Sequence, residues 1–293
     1  MKRITIVGAG AIGSSLAFLL AKAGHQVSVL ARGDRLAQLR RDGAIVTVGG
    51  DRAVVEVVEV VESVESVGSA DLILVPVRPW QIDALLPMLK ASTAPVMFMF
   101  NAWSELPALR EAVGRDRFSW AFPAIVAALR DGRLELRVVP RALERVQITT
   151  VGAMSDFRPS WLDGWAQTFT AAGIPTVECS DMEAWLATHA AVMTPLMTAG
   201  VTSITRGLSW AEAVGVVDAW RSGFAQVRQR GLEVTPSSVA ALVSTPRWLL
   251  GAALWLASRV GALRPLGENG AEEPAFLHAA MARPSLAQGD RTQ

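Results

Sequence analysis

The run Gly8-Ala9-Gly10-Ala11-Ile12-Gly13 constrains this chain more than any other feature. It follows an apolar, β-branched stretch, Arg3 to Val7, and opens a helix-periodic stretch from about Ala11 to Ala23. A strand that turns straight into a helix needs this spacing. Gly8 frees the turn, Gly10 removes a Cβ where a phosphate must approach the backbone, and Gly13 lets the helix lie close to the strand. The helix start then offers free N–H groups and a partial positive charge to an anion. A tight strand–helix turn without a ligand is the alternative reading of the same glycines. Gly24 sits where the helix must stop, and Gln26 to Ala31 reads as a second strand, so the opening is a βαβ unit.

Further strands are expected at Ile45 to Val48, Val54 to Val61, Leu72 to Val77 and Val96 to Phe100, with a helix around Trp80 to Leu89. Shorter strands follow near Leu134 to Val138 and Val146 to Val151, then a helix from Trp161 to Ala172 and a strand from Pro175 to Cys179. Alternating strands and helices imply a mainly parallel sheet covered on both faces. After Ser180 the β-branched runs stop, and Ala, Leu and Trp dominate helix-length stretches. The expected fold is an α/β Rossmann-type domain over residues 1–180, followed by an all-helical domain over 181–293 for substrate binding or dimerisation. A polar, disordered tail is expected from Arg283.

Hydrophobic residues make up 51% and charged residues 19%, which excludes a disordered chain. The net charge of +1 gives no broad attraction to nucleic acid or to an anionic membrane, so neither is expected as a partner. The lone Cys179 excludes an internal disulfide, and three scattered histidines give no metal-ligand spacing, so no metal is expected. With no secretory leader in the first strand, a cytoplasmic protein is expected. Ala184 to Thr205 lacks Asp, Glu, Lys and Arg, but its histidine, threonines and proline mark a buried helix rather than a span; Trp248 to Ala257 is half the length of a span.

The end of the second strand selects the cofactor. An acidic residue there would accept hydrogen bonds from the ribose hydroxyls of NAD, but the strand ends Leu30-Ala31-Arg32-Gly33. Arg32 cannot accept them and can pair with a 2′-phosphate, so NADP is expected.

At these residues the chain resembles the ketopantoate reductases (2-dehydropantoate 2-reductases). The opening Ile4 to Ser14, Ala23-Gly24-His25-Gln26-Val27 and Ala31-Arg32-Gly33 are similar to theirs. The family's Val-x-Val-Lys-like element reads Val75-Pro76-Val77-Arg78 here, and its Gln-Asn-Gly turn reads Phe100-Asn101-Ala102. The resemblance implies that Gly8, Ala9, Gly10, Ala11, Ile12 and Gly13 cradle the cofactor. It also implies that Arg32 and Arg78 hold its 2′-phosphate, and that Asn101 lies near the nicotinamide. The implied reaction is NADPH-dependent reduction of a 2-oxo acid, by default ketopantoate to pantoate in pantothenate biosynthesis, in a monomer or a homodimer.

The family's second-domain helix carries a proton-donating lysine and substrate-gripping asparagines. With Thr194-Pro195 on its Asn-Pro, the lysine position falls on Leu186 and the first asparagine on Ala190. A leucine cannot protonate the alkoxide formed by reduction. His189, three residues after Leu186, is the expected replacement because histidine titrates near neutrality; a hydrogen-bonded core histidine is the alternative. Thr194 keeps a hydroxyl for the substrate. Glu272 and Glu273 are candidates for the family's later glutamate. His25 reads as structural, His278 as solvated, and Trp185 shares a face with His189. Two further readings remain. One is a non-catalytic NADP(H)-binding sensor or partner protein. The other is an NAD-linked 2-hydroxy-acid dehydrogenase, disfavoured by Arg32.

Overall fold

The computed structural model describes residues 1–59, 69–137, 148–242, 244–268 and 270–283. The chain forms two compact units, Met1–Phe100 with Pro107–Met182, and Asn101–Leu106 with Glu183–Gln293.

The first unit runs β1 (Arg3–Val7), α1 (Ala11–Lys22), β2 (Gln26–Ala31), α2 (Gly33–Asp42), β3 (Ala44–Val46), β4 (Arg52–Val54), β5 (Glu56–Glu59), β6 (Leu72–Val75), α3 (Leu86–Ala91) and β7 (Val96–Phe98). It continues with α4 (Leu106–Val113), β8 (Phe118–Phe122), β9 (Val126–Arg130), β10 (Arg133–Arg137), β11 (Thr149–Gly152), α5 (Trp165–Ala171) and β12 (Thr176–Cys179). Eight strands form one sheet in the order β12-β11-β8-β7-β6-β1-β2-β5. Neighbours from β5 through β8 are parallel, β11 is antiparallel to β8, and β12 is parallel to β11. The uniformly apolar β6 and β7 are buried along their whole length, as strands covered on both faces must be. Leu16, Ala17 and Leu20 of α1 join Ile4 and Ile6 of β1 in the core. Phe98, Phe100, Phe118 and Trp120 pack together in tilted and edge-to-face pairs, with ring centroids 4.8–6.2 Å apart.

Two expected helices are broken, for local reasons. Between Trp80 and Leu89 the chain makes a short 3-10 turn, Pro79–Gln81, and restarts at Leu86. Pro87 has no N–H and fits only the first turn of a helix, so one continuous helix would have put it in the interior. The expected helix Trp161 to Ala172 is a 3-10 turn, Ser160–Leu162, then α5, separated by Gly164 at φ +78°. Of the strands expected at Val54 to Val61, Leu134 to Val138 and Val146 to Val151, residues 60–61, 138 and 146–147 lie outside the described residues, as does the tail beyond 283.

The second unit is helical: α6 (Met182–Thr205), α7 (Trp210–Gln229), α8 (Ser237–Leu242), α9 (Arg247–Arg259), α10 (Arg264–Gly267) and α11 (Glu272–Ala282). The expected α/β sheet domain followed by helices is thus the observed architecture. The segment 101–106 belongs with the helices because Trp103 packs into their core against Ala187, Ala190, Ala191, Phe224 and Leu277. At the start of α7, Ser209 accepts from the Glu212 amide (3.2 Å) and Glu212 accepts from the Ser209 amide (2.8 Å). Among the described residues no helix is long and apolar enough to cross a membrane.

Candidate cofactor and substrate sites

The glycine-rich turn sits at the carboxyl end of β1, between the ends of β2 and β6, where the strand order reverses. Gly8 has φ +109° and donates its amide to Leu30 O at 3.1 Å. A Cβ on Gly13 would lie 1.9 Å from Gly8 O, so turn and helix touch backbone to backbone. Gly10 is different: its φ is −70°, and a Cβ there would meet nothing within 4 Å. The fold therefore demands glycine at Gly8 and Gly13 but not at Gly10, and a tight turn alone accounts for only two of the three. The space beside Gly10 is a cradle that a side chain would fill, which fits the pyrophosphate of a dinucleotide. The first helical hydrogen bond of α1 is Ser14 N to Gly10 O (2.8 Å), so the amides of Ala11, Ile12 and Gly13 have no helical acceptor. No side chain caps them, and no acidic residue sits in that turn. Ala9 is buried, Ala11 and Ile12 are partly exposed, and Gly10 is exposed.

Arg32 stands just beyond β2 as the extended residue before α2, with its side chain in solvent. Arg78 follows β6, half-buried, and its amide donates to Gln81 Oε1 at 3.0 Å. Gly8, Arg32 and Arg78 thus follow the ends of three adjacent parallel strands.

One residue at this edge was not singled out from the sequence. Arg35 donates to Ala9 O (3.2 Å), Ser14 Oγ (2.9 Å), Gln38 Oε1 (2.7 Å) and Gly132 O (2.6 Å). It braces the glycine-rich turn from below, and burial pulls its pKa below the ordinary arginine value while Asp42 partly opposes this. The available signal was a cation in the first turn of α2, where the helix dipole disfavours positive charge.

In the helical unit, Asn101 is 9% exposed and donates from Nδ2 to Glu273 Oε1 at 2.6 Å. Its loop is held from both sides. Glu105 accepts from the amides of Trp103 (2.7 Å) and Ser104 (2.8 Å). Arg230 donates to Trp103 O and to Glu183 (3.0 Å), with its guanidinium over the Trp103 ring. Because a carboxylate only accepts, the amide nitrogen must face Glu273, which leaves Asn101 Oδ1 buried without a partner. The other such atom among the described residues is Thr194 Oγ1, on a residue 3% exposed. A buried acceptor and a buried hydroxyl without partners cost free energy, and a ligand supplying their hydrogen bonds would relieve it.

Leu186 and Ala190 are 1% and 0% exposed, packed into the core where the family's lysine and asparagine would stand. The chain's three lysines are Lys2, Lys22 and Lys90, so none lies in the helical unit. His189 stacks on Trp185 with ring centroids 4.9 Å apart and planes 9° from parallel. The expectation that it titrates near neutrality is corrected: loss of solvation lowers its pKa to about 4, and the resting imidazole is neutral at pH 7. His189 and Thr194 are five residues apart, so α6 turns them roughly 140° from each other, and they do not share a face. His25 Nδ1 accepts from the Lys2 amide at 3.3 Å, and His278 is exposed.

Residues 4–142 match the family model described as ketopantoate reductase PanE/ApbA. No curated protein matches the sequence significantly. Among solved structures, 2-dehydropantoate 2-reductase from Geobacter metallireducens GS-15 is similar at 16% identity, covering 96% of this chain and 95% of that one, with a TM-score of 0.69. The enzyme of the same name from Porphyromonas gingivalis W83 is similar at 15% identity, 96% and 99% coverage and a TM-score of 0.67. A D-mandelate dehydrogenase, solved with NADH and anilino(oxo)acetate, is similar at 14% identity, 95% and 96% coverage and a TM-score of 0.66. At these identities the likeness to solved structures is one of fold.

Proposed function

We propose that this chain, whose residues 4–142 match the ketopantoate reductase family model, is an oxidoreductase of that family and reduces a 2-oxo acid with NADPH. The observation that carries the reading is Asn101, whose nitrogen is held by Glu273 while its buried oxygen lacks a donor. When bound, the cofactor supplies two electrons and a hydrogen to the carbonyl carbon. The free amides of Ala11, Ile12 and Gly13, behind the open side of Gly10, hold its pyrophosphate. Arg32 and Arg78 favour a 2′-phosphate, which is the argument for NADP over NAD. Asn101 Oδ1 accepts a hydrogen bond at the nicotinamide end, and Thr194 Oγ1 donates one to the substrate's carbonyl or carboxylate.

His189 is the candidate proton donor, under a condition its burial sets. Neutral at rest, it becomes an acid only when an approaching carboxylate raises its pKa, so the substrate's own charge recruits the proton. Because it does not share a face of α6 with Thr194, it reaches the carbonyl oxygen of a substrate held at Thr194 through an intervening water, which passes the proton on. Ketopantoate is the family's default substrate, and a cytoplasmic place in pantothenate biosynthesis, as monomer or homodimer, goes with it. The loss of lysine and asparagine at Leu186 and Ala190 favours a different 2-oxo acid.

A second reading has one specific observation in its favour: no lysine follows Lys90. On it, the chain binds NADP(H) without turnover, as a sensor or a partner protein. Tryptophan fluorescence titration with NADPH and NADH, followed by NADPH consumption with ketopantoate and other 2-oxo acids, separates the two. Tighter binding of NADPH with acid-dependent consumption supports the reductase; tight binding without consumption supports the sensor.

A further inference from the structure

A groove of about 440 Å³ runs along the helical unit between α6 and α7, with residues of α11 also lining it. Its wall on α6 extends from Ala191 to Thr202, about 16 Å at 1.5 Å per residue. Small residues line both walls and leave room between the helices: Ala191, Thr194 and Thr198 on one side, Gly215, Ala219 and Ser222 on the other.

Gly215 is informative because nothing in the fold requires it. It lies inside α7 without a positive φ, and a Cβ there would meet no atom within 4 Å. Other glycines of this unit are pressed against neighbours: a Cβ on Gly223 would lie 2.8 Å from Ala191 Cβ, and one on Gly251 would lie 2.7 Å from Val214 Cγ2. A glycine in a helix interior gives up stability, and at Gly215 the return is open groove.

The polar chemistry of the groove is concentrated near Thr194. Thr198 and Thr202 donate their hydroxyls to Thr194 O (3.0 Å) and Thr198 O (3.3 Å). Thr194 Oγ1, buried in the wall, has no partner. Pro195 has no N–H, so the carbonyl of Ala191 loses its helical donor one turn away. Charge is nearly absent. The groove has no lysine or arginine in its lining; its titratable side chains are His278 on α11 and one carboxylate, Glu212, which is bound to Arg206 (2.6 Å) and to the Ser209 amide (2.8 Å). Those hydrogen bonds hold Glu212 well below the usual carboxylate range, as a neutralised ion pair.

We propose that this groove receives the substrate's side chain, and that the substrate is a 2-oxo acid with an extended, uncharged, mainly apolar side chain. The inference rests on the reductase reading. Thr194 hydrogen-bonds the acid at the mouth of the groove, and the chain beyond lies between α6 and α7. A carboxylate at the far end is disfavoured, because the lining offers it no lysine or arginine and Arg206 beside Glu212 is already paired.

The test compares kcat/KM for 2-oxobutanoate, 2-oxohexanoate and 2-oxooctanoate in the wild type and in Gly215→Leu, whose new side chain enters the groove. In the wild type kcat/KM rises by about fourfold per added methylene. In Gly215→Leu the rise with chain length flattens. The same rise in both proteins, or no rise in the wild type, overturns the inference and leaves the reductase reading standing. Calorimetric titration with 2-hydroxyoctanoate decides the groove independently of turnover. Binding weakened at least tenfold by Gly215→Leu supports it even if no 2-oxo acid is reduced, in which case the reductase reading alone fails. Equal binding, or none to either protein, overturns it. Ala219→Leu, on the same wall, serves if Gly215→Leu does not fold.

Discussion

Substituting two glycines of the same turn separates what the fold needs from what the cofactor needs. In Gly13→Ala the new Cβ would stand 1.9 Å from Gly8 O, roughly 1.5 Å inside the preferred separation of non-bonded atoms. The obstacle is backbone, so β1 or α1 must shift; the expected cost is about 1–3 kcal/mol, as for overpacking a closed core, and it outweighs the gain of about 1 kcal/mol in helix propensity. In Gly10→Ala the Cβ meets nothing within 4 Å at φ −70°, and stability should stay within about 0.5 kcal/mol of wild type. The added methyl occupies the space assigned to pyrophosphate, so NADPH binding should fall by about tenfold or more, a loss of at least about 1.4 kcal/mol. Urea denaturation without cofactor and fluorescence titration with NADPH read the two effects separately. A Gly10→Ala protein that folds normally and binds NADPH like the wild type would refute the assignment of that space to the cofactor.

Three other substitutions bear on the account. Arg32→Ala should raise the Kd for NADPH by tenfold or more, since about 1.5–3 kcal/mol attaches to a charged hydrogen bond, and should leave NADH binding unchanged; equal loss for both would remove Arg32 from the 2′-phosphate. With a pKa of about 4 against 6.5 unfolded, His189 makes the unfolded chain bind the extra proton between those values. Stability should therefore be full above about pH 6.5 and fall toward pH 4, by up to about 3 kcal/mol, and His189→Gln should lose that part of the slope in denaturant midpoints. Asn101→Asp puts a second carboxylate 2.6 Å from the Glu273 oxygen, so the variant should be less stable than wild type by about 1–3 kcal/mol near neutral pH, with the gap closing on acidification as the pair takes up a proton; a gap independent of pH would contradict the contact.

The sheet domain was legible because its determinants are local. A strand, three glycines at fixed spacing and a helix stop suffice for a βαβ unit, and apolar runs such as Leu72 to Val75 mark strands buried on both faces. What periodicity misread, single residues decided: Pro87 and Gly164 each split an expected helix. The polar helix α2 escaped notice because it buries only Leu36 and Leu39. The site was legible only in part. Glycines and cations at strand ends follow from the chain's own geometry, but Asn101 and Glu273 meet across 172 residues, a pairing no local pattern encodes. The titration of His189 was not legible because a residue type shows only its ordinary pKa, whereas loss of solvation in the fold pulls it lower.

The most direct measurement is the loss of NADPH absorbance when purified protein meets a panel of 2-oxo acids, in wild type beside Asn101→Ala. The account predicts consumption that depends on both acid and enzyme, and a fall of about 100-fold or more in kcat/KM in the variant. No consumption with any acid, from a protein that binds NADPH tightly, would contradict it and leave a dinucleotide-binding protein without catalysis.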